Sequence, residues 1–321
     1  MMERKILVVM PADEGHRREL EAAVPGAVFT YTSFDEVTED MVHDANVIIG
    51  NVNPAWLAGC EHLELMQLNS AGTDGYTADG VVPESAVLCN ATGGYGIAIS
   101  EHMVAAAFSL LKRLPAYKEN QSRQIWKDMG PVGGFYGSTA VSVGMGDIGG
   151  EFLKRAKALG AYTIGIVRTP GARPDYADEV CTGEQLKEVL SRADIVAASL
   201  PSTPQTYHMF DEDAFACMKP SAIFLNVGRG TAVDTDALIR ALEEGVIGGA
   251  ALDVTDPEPL PEGHPLWNAP NLILTPHISG GHHMKVTWDR IISIAAKNLK
   301  ALAENGAFTS VVDRKTGYRK K

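Results

Sequence analysis

The sequence has few of the features that mark secreted, membrane-spanning or metal-binding proteins. It contains four cysteines, with no CxxC pair and no zinc-ligand spacing, so neither a disulfide framework nor a structural zinc site is predicted. The four are expected to be small, reduced and partly buried. No apolar run approaches the length of a membrane span, and no signal peptide is predicted, because the first apolar run is short and predicts a strand. We therefore expect a cytoplasmic protein.

Positive charge is also in deficit. The chain has 28 Lys and Arg against 40 Asp and Glu, a net charge of −12. Such a charge disfavours nucleic acid or an anionic membrane surface as the main partner, so an anionic substrate would have to be held by local basic groups. Aromatic residues make up 7% of the chain and hydrophobic residues 45%, which over 321 residues is typical of a globular protein with room for two domains.

A glycine-rich turn stands out against this ordinary composition. It is the segment VGMGDIG at 143–149, and an apolar run of strand length, 139–143, precedes it. Residues 151–159 follow with apolar side chains at helical spacing, and a second apolar run covers 162–167. Strand, glycine turn, helix and strand are the context that a dinucleotide-binding fingerprint requires, whereas the glycine pattern alone could be a simple turn.

Each glycine of the turn has an expected task. Gly144 permits the tight turn, Gly146 lets the backbone approach a pyrophosphate, and Gly149 lets the helix pack close to the strand. Asp147 and Ile148 begin the helix, whose N–H groups and positive dipole end would face the phosphates.

The end of the second strand bears on which dinucleotide is bound. An NAD-selective site usually places Asp or Glu there, on the ribose 2′-hydroxyl. Here Val167 occupies that position, and Arg168 and Thr169 follow it. A guanidinium can pair with a 2′-phosphate through charge-assisted hydrogen bonds, although Arg168 could also be a solvated loop residue. The pattern favours NADP(H) as the cofactor, with NAD(H) possible.

Short strands alternating with helical stretches predict an α/β protein with two doubly wound parallel sheets. A Rossmann nucleotide-binding domain is expected at 98–281, beginning with a long helix over 99–114. The N-terminal third has strands of its own but no glycine fingerprint. The last helix, 283–304, is expected to pack on that third. The sequence thus predicts a discontinuous flavodoxin-like substrate domain formed by 1–97 and 282–321.

Three segments with polar residues at strand ends follow the fingerprint: NVGRG, DVTDPEPL and TPHISGG. In an open parallel sheet such loops line the ligand crevice. Arg229 could bind a carboxylate with two parallel hydrogen bonds, and His277 could move a proton to or from a carbonyl oxygen. Glu258 could orient that imidazole and favour its protonated form. Singly, each residue has a structural explanation, such as a helix cap, an acidic loop or a core hydrogen bond.

With these motifs the chain resembles the D-2-hydroxyacid dehydrogenases. The stretches that carry the resemblance are VGMGDIG, SLPSTPQT, NVGRG, ALDVTDPEPLPEGHPLW and LTPHISGG, and the likeness covers essentially the whole chain. It implies reversible hydride transfer between a nicotinamide and a 2-oxo or D-2-hydroxy acid, and a homodimer. With Arg168 after Val167, the chain resembles the NADPH-preferring glyoxylate/hydroxypyruvate (2-oxo acid) reductases of this family. This resemblance favours 2-oxo acid reduction as the reaction.

The resemblance also assigns residues. It implies that Arg229, Glu258 and His277 are catalytic. It implies that the substrate is held by Ser70, Ala71, Gly72 and Arg229. The fingerprint glycines, Arg168 and Thr169 are implied to contact the cofactor. Further implied cofactor contacts are Leu200, Pro201, Thr206, Val227, Gly228, Asp253, His277 and Gly280. Candidates for the side chains that select the substrate are Tyr76, Tyr95, Trp126 and Trp267.

Two other functions fit the same residues. One is a nicotinamide-sensing regulator, like the corepressors that resemble these dehydrogenases, although the acidic charge and the lack of a basic tail weigh against it. The other is a formate- or phosphite-type dehydrogenase, against which Arg168 weighs because those enzymes generally use NAD. No metal is assigned, because His282 and His283 have no carboxylate or cysteine at suitable spacing.

Overall fold

A computed structural model describes residues 4–169, 171–281, 283–317 and 320. The predicted domain boundary at His282, and the N-terminal residues 1–3, lie outside the described residues. The chain divides into two compact units. Unit 1 combines Met1–Tyr95 with His282–Lys321, and unit 2 is Gly96–Gly281. The sequence places the first boundary two residues later, between 97 and 98.

The strands and helices alternate along the chain. The strands are β1 (Lys5–Val9), β2 (Val28–Thr32), β3 (Val47–Ile49), β4 (Leu65–Gln67), β5 (Val87–Cys89), β6 (Thr139–Val143), β7 (Tyr162–Val167), β8 (Glu179–Thr182), β9 (Ile195–Ala198), β10 (Ile223–Asn226), β11 (Gly249–Leu252) and β12 (Leu272–Leu274). The α-helices are α1 (Glu14–Ala23), α2 (Glu39–His43), α3 (Gly96–Leu111), α4 (Leu114–Ser122), α5 (Asp147–Ala158), α6 (Leu186–Arg192), α7 (Glu212–Ala216), α8 (Thr235–Glu243) and α9 (Lys285–Glu304).

Unit 1 contains a parallel sheet in the order β2-β1-β3-β4-β5. This is the flavodoxin-like order, and it confirms the predicted fold class. Strand β3 is buried along its whole length, as expected for a parallel strand covered on both faces. Helix α9 packs on α1 and on β4, so the end of the chain belongs to the same unit as its beginning.

Unit 2 contains a parallel sheet in the order β12-β11-β10-β9-β6-β7-β8. Counted from β6, this is the Rossmann order 3-2-1-4-5-6 with one further strand beside the sixth, again as the sequence predicts. Its core gathers aliphatic side chains from the central strands around the packed rings of Phe210, Phe215 and Phe224. Burying a side chain of this size stabilises the fold by roughly 1.5–3 kcal/mol.

Two local expectations differ from the structure. The helix predicted over 99–114 begins at Gly96 and ends at Leu111, and α4 starts separately at Leu114. Pro115 accounts for the break, because its ring would clash with the Leu111 carbonyl in a continuous helix, whereas proline is tolerated in the first turn of α4. The edge strand β8 was not predicted, since four residues of which only Cys181 is buried give no clear period.

Among the described residues, no helix combines the length and the apolar character that crossing a membrane requires.

Candidate functional site

The turn between β6 and α5 is built by glycine at the two positions where a side chain would collide. Gly144 has a φ of +91°, and a Cβ there would lie 2.7 Å from the carbonyl oxygen of Ser199. A Cβ on Gly149 would lie 1.9 Å from the carbonyl oxygen of Gly144, so the helix touches the turn backbone. The turn is tight because both positions lack a side chain.

Gly146 is different, because a Cβ there would meet no atom within 4 Å. It is the N-cap residue of α5, and no side chain of the described residues caps that helix end. The backbone beside Gly146 therefore has open space next to first-turn N–H groups at the positive end of the helix dipole. This arrangement fits the pyrophosphate of a dinucleotide.

The side chain of Asp147 serves the fold. Its Oδ2 accepts a hydrogen bond from the backbone N–H of Gly96 at 2.8 Å, which joins the start of α3 to the start of α5. Its carboxylate is thereby committed within unit 2. What remains for a bound phosphate at this position is the backbone N–H of Asp147, followed by that of Ile148.

Strand β7 ends at Val167, and Arg168 and Thr169 follow as exposed residues. The residues at the end of this strand, 167–169, include no carboxylate. Behind it, Asp178 fixes β7: its Oδ2 accepts from the Thr163 N–H and from the Thr163 hydroxyl, both at 2.9 Å. Its Oδ1 lies 2.7 Å from the ammonium group of Lys157.

The segment after β9 packs against the glycine turn. The hydroxyl of Ser199 donates to the carbonyl of Gly144 at 3.1 Å. Thr206 is buried, and its hydroxyl donates to the carbonyl of Pro201 at 2.7 Å, which closes the loop that begins at Leu200. A Cβ on Gly228 would lie 2.4 Å from the carbonyl oxygen of Leu200, so the loops after β9 and β10 are in backbone contact.

The loop after β10 is held by Asn226, which is fully buried. Its Nδ2 donates to the carbonyl of Arg229 at 3.0 Å, and its Oδ1 accepts from the N–H of Gly228 at 3.1 Å. Arg229 is half-buried, and one of its guanidinium nitrogens donates to the Gly228 carbonyl at 2.9 Å. The neighbouring Gly230 allows contact with the next loop, because a Cβ there would lie 2.0 Å from the carbonyl oxygen of Thr255.

Asp253, at the end of β11, organises the loop that follows β12. Its carboxylate accepts four hydrogen bonds, from the Thr275 hydroxyl (2.6 Å), the Ile278 N–H (2.9 Å), the Ser279 N–H (3.0 Å) and the Ser279 hydroxyl (2.5 Å). Burial raises the pKa of this carboxyl, but the four donors outweigh burial and hold the pKa below its ordinary value. The resemblance implies a contact with the carboxamide of the nicotinamide for Asp253, whereas in unit 2 its carboxylate accepts hydrogen bonds from the loop after β12.

His277 and Glu258 form the central pair of the site. The imidazole Nδ1 lies 2.6 Å from Glu258 Oε1, and both side chains are partly exposed. The backbone of His277 has a φ of +52°, which is uncommon for a residue with a side chain. Its N–H donates to the Asp253 carbonyl at 2.8 Å, so the loop that Asp253 binds also fixes this conformation.

The sequence did not single out His102, which lies on α3. Its Nε2 lies 3.3 Å from the Thr275 hydroxyl, and Thr275 in turn donates to Asp253. No sequence motif marks His102, because a lone histidine within an apolar helix does not indicate a site before the sheet order is known.

Unit 1 contributes the loop Asn69–Gly72. Asn51 and Asn69 exchange two hydrogen bonds between side-chain oxygen and backbone N–H, both 3.1 Å. The carbonyls of Ser70 and Ala71 accept from Ala91 N–H (2.9 Å) and Asn90 Nδ2 (2.7 Å). Among the described residues, no acceptor meets the N–H groups of Ser70, Ala71 and Gly72. A bent backbone fixed by its carbonyls, with its N–H groups available, can bind an anion.

The candidate selectivity aromatics have different environments. Tyr76 is buried in unit 1, where its hydroxyl donates to the Val52 carbonyl, and burial raises its pKa to about 12. Tyr95 is also buried, and its hydroxyl donates to the Asn69 carbonyl; burial raises its pKa. Trp126 and Trp267 belong to unit 2 and are exposed.

Within the described part of the chain, no group of three or more His, Cys, Asp or Glu residues could hold a metal ion. His282, one of the two histidines considered for such a site, lies outside that part.

The fold and these loops define a nicotinamide-dependent oxidoreductase of the two-unit α/β type. Residues 104–279 match the family model of the D-isomer specific 2-hydroxyacid dehydrogenase NAD binding domain, and the chain belongs to that family. Glyoxylate reductase/hydroxypyruvate reductase from Homo sapiens is 31% identical over 293 residues, covering 88% of this chain and 83% of the relative. D-3-phosphoglycerate dehydrogenase from Methanocaldococcus jannaschii is 30% identical over 280 residues, 85% of this chain and 53% of the relative.

A solved structure agrees over the whole chain. The D-isomer specific 2-hydroxyacid dehydrogenase family protein from Aeromonas salmonicida superposes with a TM-score of 0.85 at 30% identity, covering 97% of this chain and 99% of that one.

Proposed function

We propose that this protein reduces a 2-oxo acid to the D-2-hydroxy acid with NADPH as the preferred hydride donor. Glyoxylate, hydroxypyruvate or a related 2-oxo acid would be the substrate. The observation that carries the proposal is the 2.6 Å contact between His277 Nδ1 and Glu258 Oε1, in loops at the carboxyl ends of β11 and β12. Family membership supplies the reaction class, and the pair supplies the proton chemistry.

When bound, reduced nicotinamide supplies the hydride that adds to the 2-oxo carbon. Arg229 binds the substrate, placing its guanidinium on the carboxylate and beside the oxo oxygen. Charge that develops on that oxygen is stabilised by the same guanidinium. The N–H groups of Ser70, Ala71 and Gly72 bind the carboxylate from unit 1.

His277 supplies the proton. Nδ1 donates its hydrogen to Glu258, so Nε2 is the ring nitrogen that donates to the oxo oxygen as the C–H bond forms. The product is the neutral 2-hydroxyl, and a neutral imidazole remains. Because the His277 side chain is 48% exposed, water can reprotonate it for the next turnover. Glu258 holds the imidazole in the orientation that leaves Nε2 for the substrate.

The cofactor preference rests on residues after β7. No carboxylate lies among residues 167–169, and Arg168 offers a guanidinium at the strand end. The other proposed cofactor contacts lie at or beside the carboxyl ends of the strands of unit 2. They are Gly144, Gly146, Asp147, Ile148, Gly149, Thr169, Leu200, Pro201, Thr206, Val227, Gly228, Asp253, His277 and Gly280. For Asp253, we propose that it acts on the cofactor site by holding the loop 275–279.

The test is consumption of NADPH and NADH by the purified protein with glyoxylate, hydroxypyruvate and pyruvate. Turnover that is faster with NADPH supports the proposal. Cofactor binding without turnover on any 2-oxo acid would favour a nicotinamide-sensing regulator. Oxidation of formate or phosphite would favour a formate- or phosphite-type dehydrogenase.

We also propose that the protein is a homodimer. Support comes from α4 and the segment after it, where Leu114, Ile125, Trp126 and Tyr136 are exposed. A large exposed apolar patch is typical of an interface, and these four side chains are the candidates for forming one. Sedimentation equilibrium is expected to give twice the 34.3 kDa chain mass, and a mass of one chain at micromolar concentration would reject the dimer.

A cytoplasmic location remains part of the proposal. All four cysteines are free thiols, and three of them are buried, as expected for a protein kept in a reducing compartment. Fractionation of the source cells with an antibody to the chain tests this location.

A further inference from the structure

A groove in unit 1 has no part in the chemistry described above. It has a volume of about 520 Å³ and is open to solvent. The residues that form its walls include Phe34, Asn51, Asn53, Pro54, Trp56 and Tyr76. The volume lies within the roughly 300–1,000 Å³ typical of small-molecule sites.

The walls are aromatic, and one of them is exposed to an unusual degree. The side chain of Phe34 is 64% exposed, although phenylalanine is usually buried in folded proteins. Trp56 is half-buried and Tyr76 is buried, and both are among the residues that line the groove. An exposed aromatic facing an apolar groove gains when an apolar ligand covers it.

The groove is rigid where it meets the rest of unit 1. The hydroxyl of Tyr76 donates to the Val52 carbonyl at 2.5 Å and accepts from the Val52 N–H at 3.1 Å. Both residues line the groove, so this wall is fixed before any ligand arrives. A preformed wall lowers the entropic cost of binding.

Asn51 connects the groove to the loop Asn69–Gly72. It lines the groove, and its Nδ2 donates to the Ser70 hydroxyl at 3.1 Å. It also exchanges the two backbone hydrogen bonds with Asn69. Asn51 therefore lies between the groove and this loop. A ligand whose carboxylate is bound by the N–H groups of Ser70, Ala71 and Gly72 would have the groove beside it.

The charge of the groove narrows the ligand further. Among the described residues, its lining includes the acid Asp74 and no lysine, arginine or histidine. A second anionic group on the ligand, such as a phosphate or another carboxylate, would meet no cationic side chain among these lining residues. A neutral side chain needs no such cation.

We infer that the groove receives the side chain of the 2-oxo acid, and that the preferred substrate carries a bulky, neutral, apolar or aromatic side chain. This inference rests on the proposed function, because it needs the carboxylate at Ser70–Gly72. It distinguishes this chain from an enzyme for the smallest 2-oxo acids and from one for a phosphorylated 2-oxo acid.

The first experiment compares kcat/KM for glyoxylate, hydroxypyruvate, 3-phosphohydroxypyruvate, 4-methyl-2-oxopentanoate and phenylpyruvate at saturating NADPH. We expect phenylpyruvate and 4-methyl-2-oxopentanoate to exceed glyoxylate by about ten-fold or more, the range that apolar groups contribute in an apolar pocket. We expect 3-phosphohydroxypyruvate to be the poorest of the larger substrates. Highest activity on glyoxylate or on the phosphorylated acid would overturn the inference and leave the proposed reductase intact.

The second experiment assigns the preference to the groove. Phe34→Ala and Trp56→Ala are each expected to lower the ratio of kcat/KM for phenylpyruvate over glyoxylate at least five-fold. Trp56→Phe, which keeps a ring, should restore most of the ratio if Trp56→Ala folds poorly. Asp35→Ala is the matched control, since Asp35 is exposed in the same turn and does not line the groove. An unchanged ratio in both alanine variants would overturn the inference.

A binding measurement separates this inference from the proposed function. Calorimetric titration with D-3-phenyllactate in the presence of NADP⁺ needs no turnover. Binding that Phe34→Ala weakens five-fold or more would support the groove even if no 2-oxo acid were reduced. Absence of binding by the parent protein would overturn the inference whatever the activity.

Discussion

Glu258 Oε1 lies 2.6 Å from His277 Nδ1, and the two residues come from loops after neighbouring strands. A carboxylate at that distance accepts the Nδ1 hydrogen, which leaves Nε2 as the nitrogen that can act on a substrate. The backbone of His277 has φ = +52°, and its N–H bonds to the Asp253 carbonyl at 2.8 Å. The orientation of the imidazole is therefore set by three residues from two loops.

Replacing His277 tests its part in proton transfer. His277→Ala is expected to lower kcat by roughly 10²- to 10⁴-fold, the usual contribution of a general acid. NADPH affinity, measured by fluorescence titration, should change less than five-fold. Glu258→Gln keeps the shape of the acceptor and removes its charge, so kcat should fall less than in His277→Ala. Near-parental turnover by His277→Ala would remove this residue from the mechanism.

Two glycines of the fingerprint should separate folding from binding. Gly149→Ala places a Cβ 1.9 Å from the Gly144 carbonyl, so a loss of several degrees in Tm is expected. Gly146→Ala meets no atom within 4 Å, and its φ of −81° suits any residue. Its Tm should equal that of the parent, while a methyl group in the pyrophosphate space should weaken NADPH and NADH about ten-fold or more.

Thermal melts and cofactor titrations of these two variants serve as each other's controls. Equal cofactor affinity in Gly146→Ala and the parent protein would place the pyrophosphate elsewhere. A parental Tm in Gly149→Ala would mean that the turn relaxes around the new methyl group.

Cofactor selectivity depends on Arg168. Arg168→Ala is expected to raise the Kd for NADPH by about 10- to 100-fold, roughly 1.4–2.7 kcal/mol, because a charge-assisted phosphate contact is lost. The Kd for NADH should change less than three-fold. Arg18→Ala removes the same charge from an exposed site in unit 1 and controls for the change in net charge. Parallel losses for both cofactors would show that Arg168 does not recognise the 2′-phosphate.

Asp178 gives a prediction about pH. The hydrogen bond from Lys157, followed by that from the Thr163 N–H, lowers the pKa of this carboxyl to about 2, against about 3.9 in an unfolded chain. A carboxyl with a lowered folded-state pKa contributes stability above pH ~4 and loses it as the pH falls to about 2. The Tm difference between the parent and Asp178→Asn should therefore be largest above pH 4 and shrink toward pH 2.

Asp175→Asn controls for the change of charge in that experiment. Asp175 is an exposed carboxylate three positions before Asp178 in the sequence, and no structural role is assigned to it. A Tm difference for Asp178→Asn that stays constant from pH 5 to pH 2 would contradict the assignment.

Much of the fold could be predicted because its strands are short apolar runs bounded by turns. The apolar runs predicted at 139–143 and 162–167 are the strands β6 and β7 with the same bounds, and the glycine spacing located the turn between β6 and α5. The edge strand β8 was missed because its partly exposed residues show no clear period, and the α3–α4 break depended on one proline.

The residues of the candidate site were also predicted only in part. Sequence motifs pointed to Glu258 and His277, and the structure brings these two side chains together. The roles of His102 and of the carboxylate of Asp253 could not be predicted, because they arise from hydrogen bonds between segments more than 20 residues apart. Phe34 and Trp56 were missed for a related reason: nothing in a sequence marks which aromatics share a groove.

The central claim, hydride transfer from a nicotinamide to a 2-oxo acid, is tested most directly by isotope transfer. Purified protein would be given NADPH carrying two deuterium atoms at C4 of the nicotinamide, together with phenylpyruvate and, separately, glyoxylate. Chiral chromatography and mass spectrometry would then analyse the products. The account predicts one deuterium at C2 of each product molecule, and the D isomer of phenyllactate. Products without deuterium at C2, or phenyllactate of the L configuration, would contradict it.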